Sequence, residues 1–418
     1  MSAFQESVKK ARLKIAAIFP ETPLQLNRFL SDKYDCNVYL KREDLTPVRS
    51  YKIRGAFNFF SKALEHPDGH AEKFVCASAG NHAQGFAYAC NHFQKQGTVF
   101  MPTTTPQQKI DKTRAFGGSW IEVKLVGDIF DEAYAAAHRY AESESAHMVP
   151  PFDHPDIIEG QATVGLEILE QLEGEDLDLL IMPIGGGGLS AGVMKVLLPL
   201  SPQTDFRFVE PVGAPSLTES LNSGQRIKLA KIDNFVDGAA VAQIGEHNFD
   251  ILKSVPVEKV LLIPEGRLCA TMVKMLNIEG VVLEPAGALS IDALADLDPD
   301  AIRDKNIVCV TSGGNFDFER LPEVKERALK YASLKKYFVL RMPQRPGALK
   351  DFLFLLGQDD DITRFEYLKK SARNFGSILI GIETKDPENF KILMEKFEKS
   401  GIQYQDITNN EVLSNFIV

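Results

Sequence analysis

One tryptophan, five cysteines and fewer basic than acidic residues are what this chain has least of, and each scarcity removes a class of protein. Cys36, Cys76, Cys90, Cys269 and Cys309 are odd in number, scattered and mostly set in apolar strings. Without C-x-x-C spacing they offer no zinc ribbon and no disulfide framework, and they are expected to be reduced core residues. A net charge of −10 with no basic run argues against a nucleic-acid or anionic-membrane partner. No apolar run approaches the length needed to span a bilayer, and Met1 to Glu6 carry no apolar signal core. The expectation is a cytoplasmic protein. Repeats and low-complexity tracts are also missing, and the histidines show no metal-ligand spacing.

What the chain does have is length and alternation. Its 418 residues, 44% hydrophobic, suffice for a large core and more than one domain. Strand-like runs at Val38-Tyr39-Leu40, Phe74-Val75-Cys76, Thr98 to Met101 and Trp120 to Val123 alternate with helical stretches such as Phe130 to Glu142 and Ile157 to Leu172. This predicts an α/β domain whose mostly parallel sheet is covered on both faces.

Four segments carry chemistry. Ser50-Tyr51-Lys52-Ile53-Arg54-Gly55 sets a lysine at the start of a helical pattern. Such a lysine forms a Schiff base with an aldehyde cofactor when desolvation or a nearby cation lowers its pKa, although a lone lysine at a helix start is more often a snorkelling side chain. Ser78-Ala79-Gly80-Asn81-His82-Ala83-Gln84-Gly85 follows the apolar run Phe74 to Ala77 as strand, tight turn and helix start, which aims backbone N–H groups at an anion. Leu180 to Ile184 is a buried strand, and Gly185-Gly186-Gly187-Gly188 then opens a helix at Leu189, a cradle suited to a phosphate dianion. Thr311-Ser312-Gly313-Gly314-Asn315 ends another apolar strand, Ile307 to Val310, where open α/β sheets bind ligands. The glycine run also fits a dinucleotide fingerprint through Gly186, Gly188 and Ala191, with Glu210 about twenty residues on. An NAD-dependent oxidoreductase is therefore the alternative from another class, although it has no use for the lysine element or the Asn81 loop.

In this order the four segments resemble the pyridoxal-phosphate (PLP) β-eliminating enzymes of the tryptophan-synthase-β fold type, and among them the threonine dehydratases. The resemblance implies a two-lobed PLP domain over residues 1–325, with a small mobile lobe near 53–150. It implies that Lys52 carries PLP, that Asn81 hydrogen-bonds the 3′-oxygen, and that Gly185, Gly186, Gly187 and Gly188 with Leu189 bind the phosphate. Ser312 is expected to face the ring nitrogen, and Tyr51 and Gly238, within Val236-Asp237-Gly238-Ala239, to flank the ring. Donors of Ser78, Ala79, Gly80, Asn81 and His82 are expected to receive the substrate carboxylate. The implied reaction is β-elimination from L-threonine, or L-serine, to a 2-oxo acid and ammonia.

An L-serine dehydratase or a serine racemase of the same fold is the nearer alternative, and two positions argue against the racemase. Related racemases carry a serine where Ala79 stands, and alanine cannot return a proton to Cα. Val209-Glu210-Pro211 resembles the start of their divalent-cation site, but Ser216 replaces an acidic ligand, so no essential divalent metal is expected. Ser312 likewise argues for elimination over transamination, because a hydroxyl cannot stabilise a ring cation as a carboxylate does.

After a charged helical stretch, with a linker expected at 326–336, the pattern changes. Tyr337 to Leu340, Ile362 to Tyr367, Ser377 to Glu383 and Ile402 to Ile407 read as strands. A helix following Arg345-Pro346-Gly347-Ala348-Leu349 and another over Pro387 to Lys399 complete a βαββαβ, ferredoxin-like α+β unit at 337–418. It resembles the single ACT-like regulatory domain of short threonine dehydratases. That resemblance implies isoleucine or valine as effectors and a homo-oligomer, dimer or tetramer, since a small four-stranded sheet exposes pairing edges.

Overall fold

The computed structural model describes residues 2–66, 72–368 and 374–410 and divides the chain into two compact units, Met1–Asp317 and Phe318–Val418. In the first unit the strands are β1 (Leu24–Leu26), β2 (Asn37–Arg42), β3 (Lys73–Ala77), β4 (Gln96–Met101), β5 (Ile121–Leu125), β6 (His147–Met148), β7 (Leu179–Pro183), β8 (Asp205–Pro211), β9 (Val260–Ile263) and β10 (Asn306–Thr311). They form two sheets. The larger runs β1-β2-β10-β7-β8-β9 and is parallel except for the β1–β2 pair, and the smaller runs β5-β4-β3-β6 and is parallel throughout. Continuous apolar runs such as Leu179–Pro183 and Phe74–Ala77 are buried along almost their whole length, as parallel strands covered by helices require. The smaller sheet lies within the 53–150 segment expected as a separate lobe and has its own core around Phe60, Phe74, Phe86 and Val99.

Close backbone approach joins two helices of this first unit. The helix Lys52–Glu65 packs on Pro155–Gln171 with Gly55 and Gly160 at the crossing, where a Cβ on Gly160 would fall 2.5 Å from the Arg54 carbonyl oxygen. Beside that crossing lies a buried ion cluster. Arg54 donates to Glu43 Oε1 and Oε2 at 2.8 Å each and to Glu167 Oε1 and Oε2 at 2.6 and 2.8 Å. Lys41 joins it 2.7 Å from Glu167, so two cations meet two carboxylates out of water. Burial works against the Arg54 charge, but Glu43 and Glu167 outweigh it and leave its pKa raised. Burial works against the Glu167 charge too, but Arg54 and Lys41 outweigh it and hold the carboxyl below the ordinary carboxylate range.

The second unit contains the helix Leu321–Tyr331, β11 (Lys335–Pro343), β12 (Asp361–Leu368), β13 (Phe375–Glu383) and β14 (Gln403–Asp406), with helices Ala348–Leu353 and Glu388–Lys399. Its antiparallel order, β12-β13-β11-β14, is that of a βαββαβ ferredoxin-like sheet, closed over Phe338, Phe352, Phe390 and Phe397. The segment expected as a linker is instead the end of the Leu321–Tyr331 helix and the first residues of β11, bound by a 2.7 Å ion pair between Glu326 and Lys335. All five cysteines are buried, with no disulfide among the described residues. No helix among the described residues is long and apolar enough to cross a membrane.

Candidate active site

Lys52 stands at the first turn of the Lys52–Glu65 helix, whose position is fixed two residues on by Arg54. Its Nζ donates to the Pro151 carbonyl at 2.8 Å and lies 5.2 Å from the Tyr51 ring centre and 5.7 Å from that of Phe152. Burial lowers its pKa to about 8, against the opposing pull of Glu284. An amine so placed is partly neutral near physiological pH, which a Schiff-base nucleophile requires.

Ser50 forms an antiparallel bridge with Gly313, the Tyr51 amide donates to the Ser312 carbonyl at 3.1 Å, and the Gly314 amide to the Arg49 carbonyl at 2.9 Å. The lysine segment is thus stitched to the loop at the end of β10, where Ser312 is buried. On the other side, Phe152 joins Lys52 to the glycine run. A Cβ on Gly186 would enter the Phe152 ring, one on Gly188 would fall 2.8 Å from its carbonyl oxygen, and one on Gly185 would fall 2.9 Å from Ala239 Cα. Gly187 has φ +91°, which side-chain-bearing residues rarely adopt. The helix Gly188–Leu197 that follows receives no side-chain cap, so its leading N–H groups and positive dipole end are left for an anion.

The Ser78–Gly85 loop leaves β3 and enters the helix Asn81–Phe93, again without a side-chain cap. Asn81 Nδ2 donates to Glu284 Oε1 at 2.6 Å, and Asn81 Oδ1 accepts from Asn315 Nδ2 at 2.8 Å. The His82 imidazole turns inward, its Nε2 2.9 Å from the Val149 carbonyl oxygen. Burial and the nearby Lys52 charge push its pKa to about 3, so it adds no cation for a carboxylate, and its backbone N–H is the group at the helix start. Gly238 faces Glu284, and Ala239 backs Gly185. Lys52, Gly186 and Gly188 therefore meet around Phe152, and Asn81, Gly238 and Gly313 around Glu284, whose charge also acts on Lys52. His154 caps the helix Pro155–Gln171 by accepting from the Asp156 amide, the turn role favoured by its place before a proline.

Phe152, Pro151, Glu284 and Asn315 were not assigned from sequence as site residues. The first two lie in an unpatterned turn. Glu284 precedes Pro285 as an ordinary helix-start residue, and a carboxylate there gives no local signal of its long-range partners. Only Asn315, inside the Ser312-Gly313-Gly314-Asn315 run, was within view.

A family described as "Pyridoxal-phosphate dependent enzyme" matches residues 16–313, and one described as "C-terminal regulatory domain of Threonine dehydratase" matches 326–417. A biosynthetic L-threonine dehydratase of Halalkalibacterium halodurans is 46% identical over 414 residues, 99% of each chain. That of Bacillus subtilis is 45% identical over 412 residues, 98% of this chain and 96% of its own. The processed threonine deaminase isoform 2 of Solanum lycopersicum superposes with a TM-score of 0.71 at 38% identity, covering 78% of this chain and 94% of that one.

The chain belongs to the threonine dehydratase family of PLP-dependent enzymes.

The residues present fit that cofactor. The Cβ-free run at Gly185–Gly188 with its uncapped helix suits a phosphate dianion, the lowered Lys52 amine suits an aldehyde, and Ser312 offers a neutral hydroxyl. The dinucleotide reading of Gly186 to Ala191 fails with Glu210. That carboxylate is fully buried and accepts from the Leu217 and Thr218 amides at 2.7 and 2.9 Å and from Thr218 Oγ1 at 2.8 Å, so it is not free to meet a ribose. Burial, opposed by these donors, raises its pKa to about 7. Glu210 thus caps the helix Ser216–Ser223. Among the described residues no group of three His, Cys, Asp or Glu is arranged to hold a metal ion.

Proposed function

We propose that this threonine dehydratase converts L-threonine to 2-oxobutanoate and ammonia, the entry step of isoleucine formation, with L-serine as a second substrate and cytoplasmic PLP as cofactor. The observation that carries the reading is Lys52, a buried amine of lowered pKa stitched to the Ser312 loop and joined through Phe152 to the glycine cradle. Bound at Lys52, PLP supplies a conjugated ring that takes up the charge developing at Cα. The protein's own groups do the rest. Gly185 to Gly188 and Leu189 hold the phosphate, Asn81 the 3′-oxygen and Ser312 the ring nitrogen, with Tyr51 and Gly238 against the ring. Backbone N–H groups from Ser78 to His82 would hold the substrate carboxylate, and the Lys52 amine, when free, would take the Cα proton. Ala79 supports elimination over racemisation because its methyl group has no proton to give to the opposite face.

The C-terminal unit, proposed to act as an amino-acid effector domain for isoleucine or valine, has an open cavity of about 390 Å³. Arg345, Lys350, Leu349, Leu353, Met342 and Tyr367 line it, pairing cationic groups with an apolar wall as a branched-chain amino acid requires. Exposed Leu349, Leu353 and Phe354 and the edges of β12 and β14, unpaired among the described residues, support a homo-oligomer, dimer or tetramer.

Purified protein is expected to absorb in the visible and to release 2-oxobutanoate from L-threonine. Borohydride reduction is expected to fix the cofactor on Lys52, and Lys52→Ala to abolish both that covalent link and turnover while the glycine run can still hold the cofactor. An adduct mapped to another lysine would sink the assignment.

A further inference from the structure

Glu284 is the buried carboxylate on which the site's separate motifs converge, and neither the phosphate cradle nor the proton transfer at Lys52 uses it. The helix Pro285–Asp292 begins one residue later, so the main chain fixes where this side chain leaves. Its Oε1 accepts from Asn81 Nδ2 at 2.6 Å, and the Asn315 backbone N–H also donates to the carboxylate. A Cβ at Gly313 would fall on Oε1, and one at Gly238 would lie 3.4 Å from it, so glycines of two different motifs leave room for this one group.

The hydrogen bonds around it also fix an orientation. Asn315 Nδ2 donates to the Val48 carbonyl at 2.8 Å and to Asn81 Oδ1 at 2.8 Å, which commits both of its hydrogens. Asn81 therefore presents its oxygen to Asn315 and one amide hydrogen to Glu284, and a flipped amide would set donor against donor and acceptor against acceptor. One Asn81 hydrogen is left over. The charged and titratable groups acting with Glu284 are Lys52 and Tyr51 at the helix start, Asp237 beside Gly238, and Lys109 and Lys112 on the helix Gln107–Gly117. Lys109 is itself paired with Asp237 at 2.6 Å. Burial chiefly, with Asp237 adding, raises the Glu284 pKa to about 7 against the pull of Asn81, Lys109 and Asn315.

We propose that Glu284 is a positioning residue of the cofactor site, which locks the Asn81 amide so that its remaining hydrogen serves the ring oxygen and whose ionised form favours the protonated form of the Lys52-linked cofactor. The inference rests on the reading of Lys52 and Asn81 as cofactor residues. Its sign follows from electrostatics, since a nearby anion favours the protonated form of a cationic group and its removal lowers that group's pKa.

The test is the pH dependence of the visible absorbance of the full-length, cofactor-loaded enzyme, read without substrate. Glu284→Gln, which keeps the shape and removes the charge, is expected to move the absorbance transition to lower pH by on the order of one unit, the scale of one nearby opposite charge. Glu284→Asp restores the charge and is expected to titrate closer to the unsubstituted enzyme while releasing the cofactor about tenfold more readily, the scale of one lost charged hydrogen bond. A Glu284→Gln transition that coincides with the unsubstituted one overturns the proposal. So does an Asp variant shifted as far as the Gln variant, or two variants that both fail to load while the unsubstituted enzyme loads, since the role is then structural. Absence of visible absorbance in the unsubstituted enzyme would instead overturn the cofactor reading beneath it.

Discussion

Replacing Arg54 by leucine tests whether the buried ion cluster holds the lysine-bearing helix in place. The guanidinium is the centre of the cluster, with contacts at 2.6 to 2.8 Å to Glu43 and Glu167 and further bonds to Thr163 and Thr22 at 3.1 and 3.3 Å. Leucine keeps much of the volume but leaves two buried carboxylates facing the single ammonium of Lys41. Removing one partner of a buried ionic group costs about 3–5 kcal/mol, because the charge left behind can regain neither water nor a counterion. At about 2–4 °C per kcal/mol for a sizeable domain, the melting temperature is expected to fall by on the order of 10 °C. The pH dependence separates this from simple loss of packing. In the unsubstituted protein Glu167 has a depressed pKa, so its contribution is present above the unfolded carboxylate value of about 4.3 and is lost only as pH falls through the lower folded value. In the leucine variant a carboxylate short of a partner has a raised folded pKa, and the native state gains stability by binding a proton as pH falls from about 8 to 5.5. The gap between the two melting temperatures is thus expected to narrow on acidification. Differential scanning fluorimetry of cofactor-loaded protein across that range measures it. A variant within about 1 kcal/mol of the unsubstituted protein, or a gap independent of pH, would refute the reasoning.

Three further outcomes follow from the site and the second unit. Gly188→Ala puts a methyl group 2.8 Å from the Phe152 carbonyl oxygen and is expected to weaken cofactor retention at least tenfold, the scale of one or two kcal/mol of misplaced backbone, as measured by dialysis against limiting PLP. With L-serine as substrate, Ala79 implies pyruvate far in excess of D-serine on chiral chromatography, and racemisation keeping pace with elimination would contradict the assignment. Truncation after Asp317 is expected to leave at least partial threonine dehydration and abolish the isoleucine response, which at a typical coupling of about 1–3 kcal/mol amounts to roughly five- to more than a hundredfold in apparent affinity; an unchanged isoleucine titration would refute the regulatory reading.

Local signals were legible where the chemistry is local. The Ser78–Gly85 and Gly185–Gly188 motifs are each a buried strand, a turn and a helix start, and Thr311–Asn315 is a strand end and a turn; these patterns are local, so β3, β7 and β10 and the loops after them fall where periodicity puts them. The C-terminal unit was legible for the same reason, since each strand and helix carries its own period. Adjacency was not. Nothing around Ser50 announces its bridge to Gly313, and the family resemblance implies only that Lys52 and Ser312 serve one cofactor. Phe152 was missed because a lone aromatic in a turn has no period, and the inward turn of His82 because only the packed structure shows Val149 beside it. The charged stretch reads as helical and is an amphipathic surface helix with Val324 buried, but nothing local marks where that helix gives way to β11, which is why the expected linker at 326–336 overlaps both.

The distribution of charge around Lys52 accounts for the kind of reaction such a site favours. Ser312, from the end of β10, brings a neutral hydroxyl, while the one buried carboxylate acting on Lys52, Glu284, approaches from the side of Asn81. A carboxylate at Ser312 would stabilise positive charge on the ring nitrogen and deepen the electron sink, favouring reactions that store charge in the ring. With Ser312 at the ring nitrogen, as proposed, a hydroxyl there would leave the sink shallow and would favour loss of the β-substituent over reactions that store charge in the ring. Negative charge beside Asn81, as proposed for Glu284, would act at the lysine end instead and favour a protonated link there. Ser312 and Glu284 would then divide two demands that a single acidic residue would set against each other.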